Sequence, residues 1–332
     1  MCTRLGRLAM ILAAALAFTL PCPVAAAPGV ALLIGTAGAE RPLSLSIWYP
    51  SGATATGQVG GTAVFDGTGA ALDAQGPDGA HPLVLLSHGG LRSAPDTGAW
   101  LAAALAEAGM LVAEINAPRP ETAGAAMNEI WQRPRDIRRA LDLILQDPAW
   151  AGRVDPGRIA VVGFALGGTA ALSVSGAVLD ADAYARACDG PPRAEAPDCA
   201  WMGAEGASLG HLDRSRVAQS GRDPRIAAAV ALEPDYRSAF RAPAGVAGVP
   251  TLFLSLGEPQ PVSPGLPQAE SVALPGATDS DAFPACTAAG PRILSAEGGD
   301  PALCGASRAA RDAAHGAIAD RIRAFLARRA GW

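Results

Sequence analysis

The sequence predicts an α/β fold: a mostly parallel central sheet with helices on both faces. Three observations carry this. Short, mostly apolar runs at residues 83–86, 111–115, 159–162, 226–232 and 251–256 read as strands, the first of them continuous and buried on both faces. Helix-like stretches separate most of them, and strands joined through helices pair in parallel rather than as hairpins. One of these strands, residues 159–162, runs into a glycine-rich turn and then a small-residue helix, the arrangement in which α/β sheets present a site at the strand ends.

The elements follow in order. Residues 27–80 read as a strand-forming lead-in. Within it, Leu43, Leu45, Ile47 and Tyr49 give the period-two pattern of a strand, and a Gly/Ala/Thr-rich loop is expected from there through Gly79. The run at 83–86 ends at Ser87-His88-Gly89-Gly90, a tight turn. Residues 97–108 suit a helix stopped by Gly109. Residues 127–146 suit a long helix interrupted near Pro134, with Ile137, Ala140, Leu141 and Ile144 on one face and Arg135, Arg138 and Arg139 on the solvated side. Residues 179–224, irregular and rich in Pro, Gly, Asp and Arg, read as a cysteine-containing insertion over the strand ends rather than as a second domain. The last helix is expected near residues 308–329, with Ile318, Ile322, Phe325 and Leu326 inward. No internal repeat is present.

The start of the chain reads as a targeting segment. Arg4 and Arg7 precede an apolar run over residues 8–20, too short to span a bilayer comfortably, and Val24-Ala25-Ala26 offers small residues at the cleavage positions. A signal peptide over residues 1–26 and a single domain over 27–332 are expected, with export to the periplasm or secretion. Thr19-Leu20-Pro21 before Cys22 is a poor lipid-anchor signal, and no later stretch predicts a membrane span. The formal charge of −5 becomes more negative once Arg4 and Arg7 leave, and every basic residue is Arg. An acidic chain without a basic run argues against nucleic acid or anionic membrane as a partner. Cys188, Cys199, Cys286 and Cys304 stay. In an oxidising compartment an even count predicts two disulfides. Of the three connectivities, Cys188–Cys199 and Cys286–Cys304 close the shortest loops and are preferred. Zinc is disfavoured, since no Cys lies two to four residues from another and no His lies beside them. No metal and no cofactor is expected.

The central motif is Gly163-Phe164-Ala165-Leu166-Gly167-Gly168. A buried strand, G-x-S-x-G and a helix make the nucleophile elbow of α/β-hydrolases, where glycines let the backbone turn sharply and lift the nucleophile into a pocket. Here Ala165 occupies the nucleophile position. A methyl group cannot be activated by a base or attack a carbonyl.

Around the elbow, the chain resembles the dienelactone hydrolase-like and platelet-activating-factor acetylhydrolase-like branch of that superfamily. The resemblance rests on Ser87-His88-Gly89-Gly90, on Trp131-Gln132-Arg133-Pro134-Arg135-Asp136-Ile137, on Asp155-Pro156-Gly157-Arg158-Ile159 leading to the elbow, and on Asp223-Pro224-Arg225-Ile226 leading to a strand. It covers most of residues 40–328 and implies an α/β-hydrolase fold with ester or lactone hydrolysis by a Ser–acid–His triad. Residue by residue, the chemistry does not carry over. Ala165 stands in the serine place. Asp279, in Gly276-Ala277-Thr278-Asp279-Ser280-Asp281-Ala282-Phe283, stands in the histidine place. Glu233 or Gln260 stands in the acid place, and Gln260 is not an acid.

Four histidines are available: His81, His88, His211 and His315. In the Ser–acid–His order only His315 is late enough, and it falls inside the terminal helix, where periodicity already explains it. His88 fits the turn as a structural residue, and His81 and His211 are expected in loops. The backbone N–H groups of Gly90 and Leu166 remain as oxyanion-type donors. The expected protein is therefore an exported pseudoenzyme with a pocket for a small ester, lactone or carboxylate. The alternative is an active hydrolase in which Glu233 or Asp279 activates water.

Overall fold

Strand formation follows the apolar runs. The computed structural model describes residues 26–35, 41–91, 93–190, 196–217, 221–241, 249–260, 269–329 and 332. The predicted leader through residue 25, with Cys2 and Cys22, and parts of the predicted insertion lie outside the described residues. The strands are β1 (Gly29–Gly35), β2 (Leu43–Tyr49), β3 (Gly57–Val59), β4 (Thr68–Leu72), β5 (His81–Ser87), β6 (Leu111–Asn116), β7 (Val154–Phe164), β8 (Ala228–Leu232), β9 (Thr251–Leu256) and β10 (Glu270–Leu274). They form one sheet in the order β10-β9-β8-β7-β5-β6-β2-β1-β4-β3. From β6 to β10 every neighbouring pair is parallel, while β2 joins β6 and β1 antiparallel.

Alternation along each strand supplies two cores. On one face Leu83, Leu85, Ile159, Val161, Ala229, Ala231 and Phe253 pack against α2 (Glu129–Gln146) and α3 (Leu166–Ser175). On the other face Val84, Leu86, Val162, Val230, Leu252 and Leu254 pack against α1 (Ala99–Glu107) and α4 (Arg308–Arg329). The predicted architecture of helices on both faces is the observed one.

Four local expectations are corrected. The stretch read as a loop after Tyr49 contains β3 and β4, which pair with each other, and β4 also joins β1 at the sheet edge. They are short and Gly/Ala-rich, so no alternation announces them. Helix α2 runs through Pro134 without a break. Proline forgoes the bond to the carbonyl four residues back and crowds that carbonyl, but Arg41 clamps this end of the helix through Glu129, Gln132 and Asp136 at 2.7–3.0 Å. His81 opens β5 rather than lying in a loop; its ring nitrogens lie 2.9 Å from the Gly109 carbonyl and 3.0 Å from the Asp78 carbonyl. Strand β8 begins at Ala228 because Asp223, bonded to the backbone and guanidinium of Arg225, builds a turn over the preceding residues.

Both preferred disulfides are present, Cys188–Cys199 and Cys286–Cys304. The described part of residues 179–224 sends Tyr184, Met202, Leu209 and Leu212 into the core that holds α2 and α3.

Candidate functional site

The site is built at the bend from β7 into α3. Ala165 has φ 54° and ψ −125°, a backbone region that side chains with a Cβ rarely adopt. Its flanking glycines are steric necessities. A Cβ on Gly163 would overlap the Gly167 carbonyl, and one on Gly167 would overlap the Ser87 carbonyl at the end of β5. The elbow thus keeps its strained geometry while presenting a methyl group.

The turn from Ser87 to Gly90 sits against it. Gly167 N–H donates to the Gly89 carbonyl at 3.4 Å. Arg133, from the Trp131–Ile137 segment of α2, donates at 2.6 Å to the carbonyls of both Gly89 and Gly90. Carbonyls held toward Arg133 leave the opposite side of each peptide plane facing away from it. Leu166 is the first residue of α3, so its N–H has no acceptor within the helix. Gly90 and Ala165 line one cavity of about 380 Å³, with Leu91, Ser93, Phe164, Pro197, Asp198, Glu233, Pro234, Asp235, Arg237, Asp279, Phe283 and Leu303 completing its wall.

Sequence-predicted positions converge here. Glu233 directly follows β8 at φ 39°; one carboxylate oxygen accepts from the Leu256 N–H and the other lies 3.6 Å from Arg237. Burial, opposed by that backbone bond, leaves the Glu233 carboxyl raised, with Asp279 pushing the same way. Asp279 stands on the wall at the start of a short 3-10 turn (Asp279–Ala282), its carboxyl also raised by desolvation against the pull of Arg237. Gln260 lies one step back, accepting from Arg237 at 3.2 Å rather than lining the cavity.

No histidine lines the cavity among the described residues. Buried His88 has Nε2 2.8 Å from the Ala282 carbonyl and Nδ1 3.1 Å from the Thr97 hydroxyl, and burial lowers its pKa to about 4. His315 stacks on Trp100 with ring centroids 3.7 Å apart, its Nε2 2.9 Å from the Phe283 carbonyl, and desolvation lowers its pKa to about 4 as well. His211 is exposed at the end of a 3-10 turn. Ser93 brings a hydroxyl to the wall without an imidazole beside it there.

Sequence reading missed Asp235, Asp198, Arg237 and the aromatic pair Phe164–Phe283. Asp235 is 5% exposed, and burial drives its carboxyl well above the usual range. The available signal was Glu233-Pro234-Asp235-Tyr236 directly after a buried strand, where α/β sheets place ligand groups. The far wall is set by buried Arg311 on α4, which binds the carbonyls of Phe283, Pro284 and Leu303 and meets Asp281 at 3.1 Å.

Strand order, the elbow and the cavity at the strand ends define an α/β-hydrolase fold. No family model and no curated protein matches the chain. Among solved structures, a ferulic acid esterase from Streptomyces cinnamoneus superposes with a TM-score of 0.58 at 18% identity, over 93% of this chain and 91% of that one. A likeness at that identity speaks for the fold.

Proposed function

We propose that the chain is an exported pseudoenzyme of the dienelactone hydrolase-like branch, a small-molecule binding protein whose pocket is the former catalytic cavity. One observation carries the reading: the elbow keeps its strained backbone at Ala165 and offers only a methyl group there. The histidines engaged elsewhere support it, as do the donors offered by the Leu166 and Gly90 N–H groups, which suit the carbonyl oxygen of an ester or lactone. Two disulfides support an oxidising compartment.

Removing the nucleophile of a serine triad costs on the order of 10⁶ in kcat. Purified protein assayed on p-nitrophenyl acetate, p-nitrophenyl butyrate and small lactones is therefore expected to show no robust turnover. Ala165→Ser alone is expected not to restore it, because no imidazole adjoins residue 165. Turnover that cavity substitutions abolish would refute the reading.

A second reading is favoured by the raised carboxyls of Glu233 and Asp279 on one wall: an active hydrolase in which one of them activates water, since a general base works best with a pKa near the working pH. It predicts esterase activity lost in Glu233→Gln or Asp279→Asn and kept in Ser93→Ala.

A further inference from the structure

We infer that the elbow cavity is a receptor for a small organic cation, whose ammonium group bonds to Asp235 and whose apolar body lies against Phe164 and Phe283. The inference rests on the binding reading above and narrows its ligand.

Asp235 is the starting point. Its N–H donates to the Ala165 carbonyl at 3.2 Å and its own carbonyl accepts from the Thr169 hydroxyl, so the elbow itself holds this residue on the cavity wall. The residue is almost fully buried, and its Oδ2, which solvent does not reach, has no hydrogen-bond partner among the described residues. A buried acceptor left unmade is unfavourable, and a charged one more so. A cation carried in beside the carboxyl group would offset that cost.

The charges on the wall set the sign of that ligand. Among the described residues, Asp198, Glu233, Asp235, Asp279 and Arg237 line the cavity, and Asp198 is already engaged by an interaction of its own. Arg237 already faces Glu233 and Gln260. Arg133 is directed to the carbonyls of Gly89 and Gly90 and to Glu129. A carboxylate ligand would meet like charges, whereas an ammonium meets opposite ones. Phe164 and Phe283, edge to face at 5.5 Å, add ring surface to the same cavity, which favours a cation near their faces. The volume lies within the usual range for small-molecule sites.

The pH response follows from the groups facing Asp235. Burial, Asp198 and Asp279 raise its carboxyl, while Arg133 and Arg237 oppose them. A bound cation stabilises the ionised form, so binding releases protons and tightens as pH rises.

The test is calorimetric titration of the full disulfide-bonded protein with benzylamine, benzyl alcohol and benzoate, shapes that differ mainly in charge. Benzylamine is expected to bind about tenfold or more tightly than the alcohol or benzoate, and to gain affinity between about pH 5 and about pH 8. Asp235→Asn is expected to weaken benzylamine about tenfold without lowering the melting temperature. If that variant does not fold, Glu233→Gln and Asp279→Asn are read in its place, each expected to weaken benzylamine. Absence of benzylamine binding, equal or tighter binding of the alcohol or benzoate, or unchanged affinity in the folded variants would overturn the inference. Alcohol or benzoate binding that Ala165→Phe abolishes would overturn the cation and leave the binding-protein reading standing. Robust ester turnover alongside benzylamine binding would do the reverse.

Discussion

At the scale of single residues, Ala165 combines a strained backbone with an inert side chain. Sparsely populated conformations of this kind cost about 1–3 kcal/mol when a Cβ is present. Ala165→Gly removes the Cβ and adds chain entropy worth about 0.5–1 kcal/mol to the unfolded state. The net expectation is a gain of about 1 kcal/mol in stability, read by urea unfolding. The same glycine logic predicts the opposite at Gly167, where an added methyl meets the Ser87 carbonyl; Gly167→Ala is expected to cost about 3 kcal/mol. The elbow was legible because Gly163, Gly167 and Gly168 stand at fixed offsets after an apolar run. Asp235 was not, because its burial arises from chain packing far away in sequence, through Ala165, Thr169 and Phe283.

At the scale of elements, helix α2 links Arg41 to the turn at Gly89 and Gly90. Arg41 binds Glu129 and Asp136, Glu129 also receives Arg133, and Arg133 reaches across to the Gly89 and Gly90 carbonyls. The Trp131–Ile137 segment, recognisable in the sequence only as a motif, acquires a physical purpose as the brace of this turn. Arg133→Ala removes two charge-assisted bonds and leaves buried Glu129 with one cation fewer. A loss of about 3 kcal/mol is expected in denaturant unfolding, with weaker ligand binding as the turn loosens. Pro134 misled the sequence reading for a related reason: its own preference to interrupt was visible, while the clamp from Arg41 at the other end of the chain was not. Strands β3 and β4 escaped notice because edge strands with little apolar alternation are specified by the neighbours they pair with rather than by their own pattern.

At the scale of the whole molecule, the parallel sheet was readable because its strands are buried on both faces and so consist almost wholly of apolar residues. Its charge behaviour is a property of the assembled fold. Asp235 keeps its proton to higher pH when folded than when unfolded. Its contribution is complete below the ordinary carboxyl pKa of about 4 and is lost as pH rises through the folded value. An asparagine titrates in neither state, so the stability of Asp235→Asn relative to the parent is expected to increase from about pH 4 upward. Thermal unfolding of both proteins across that interval checks it; a constant difference would count against a raised Asp235.

The two covalent links are not spread evenly over this molecule. Cys199 follows the cavity-lining Pro197 and Asp198, and Cys286 and Cys304 lie close in sequence to the cavity-lining Phe283 and Leu303. The sheet beneath has neither. Mild thiol treatment should therefore slacken the mouth before it melts the scaffold, so that the protein delivered to a reducing environment would release its guest while keeping its shape.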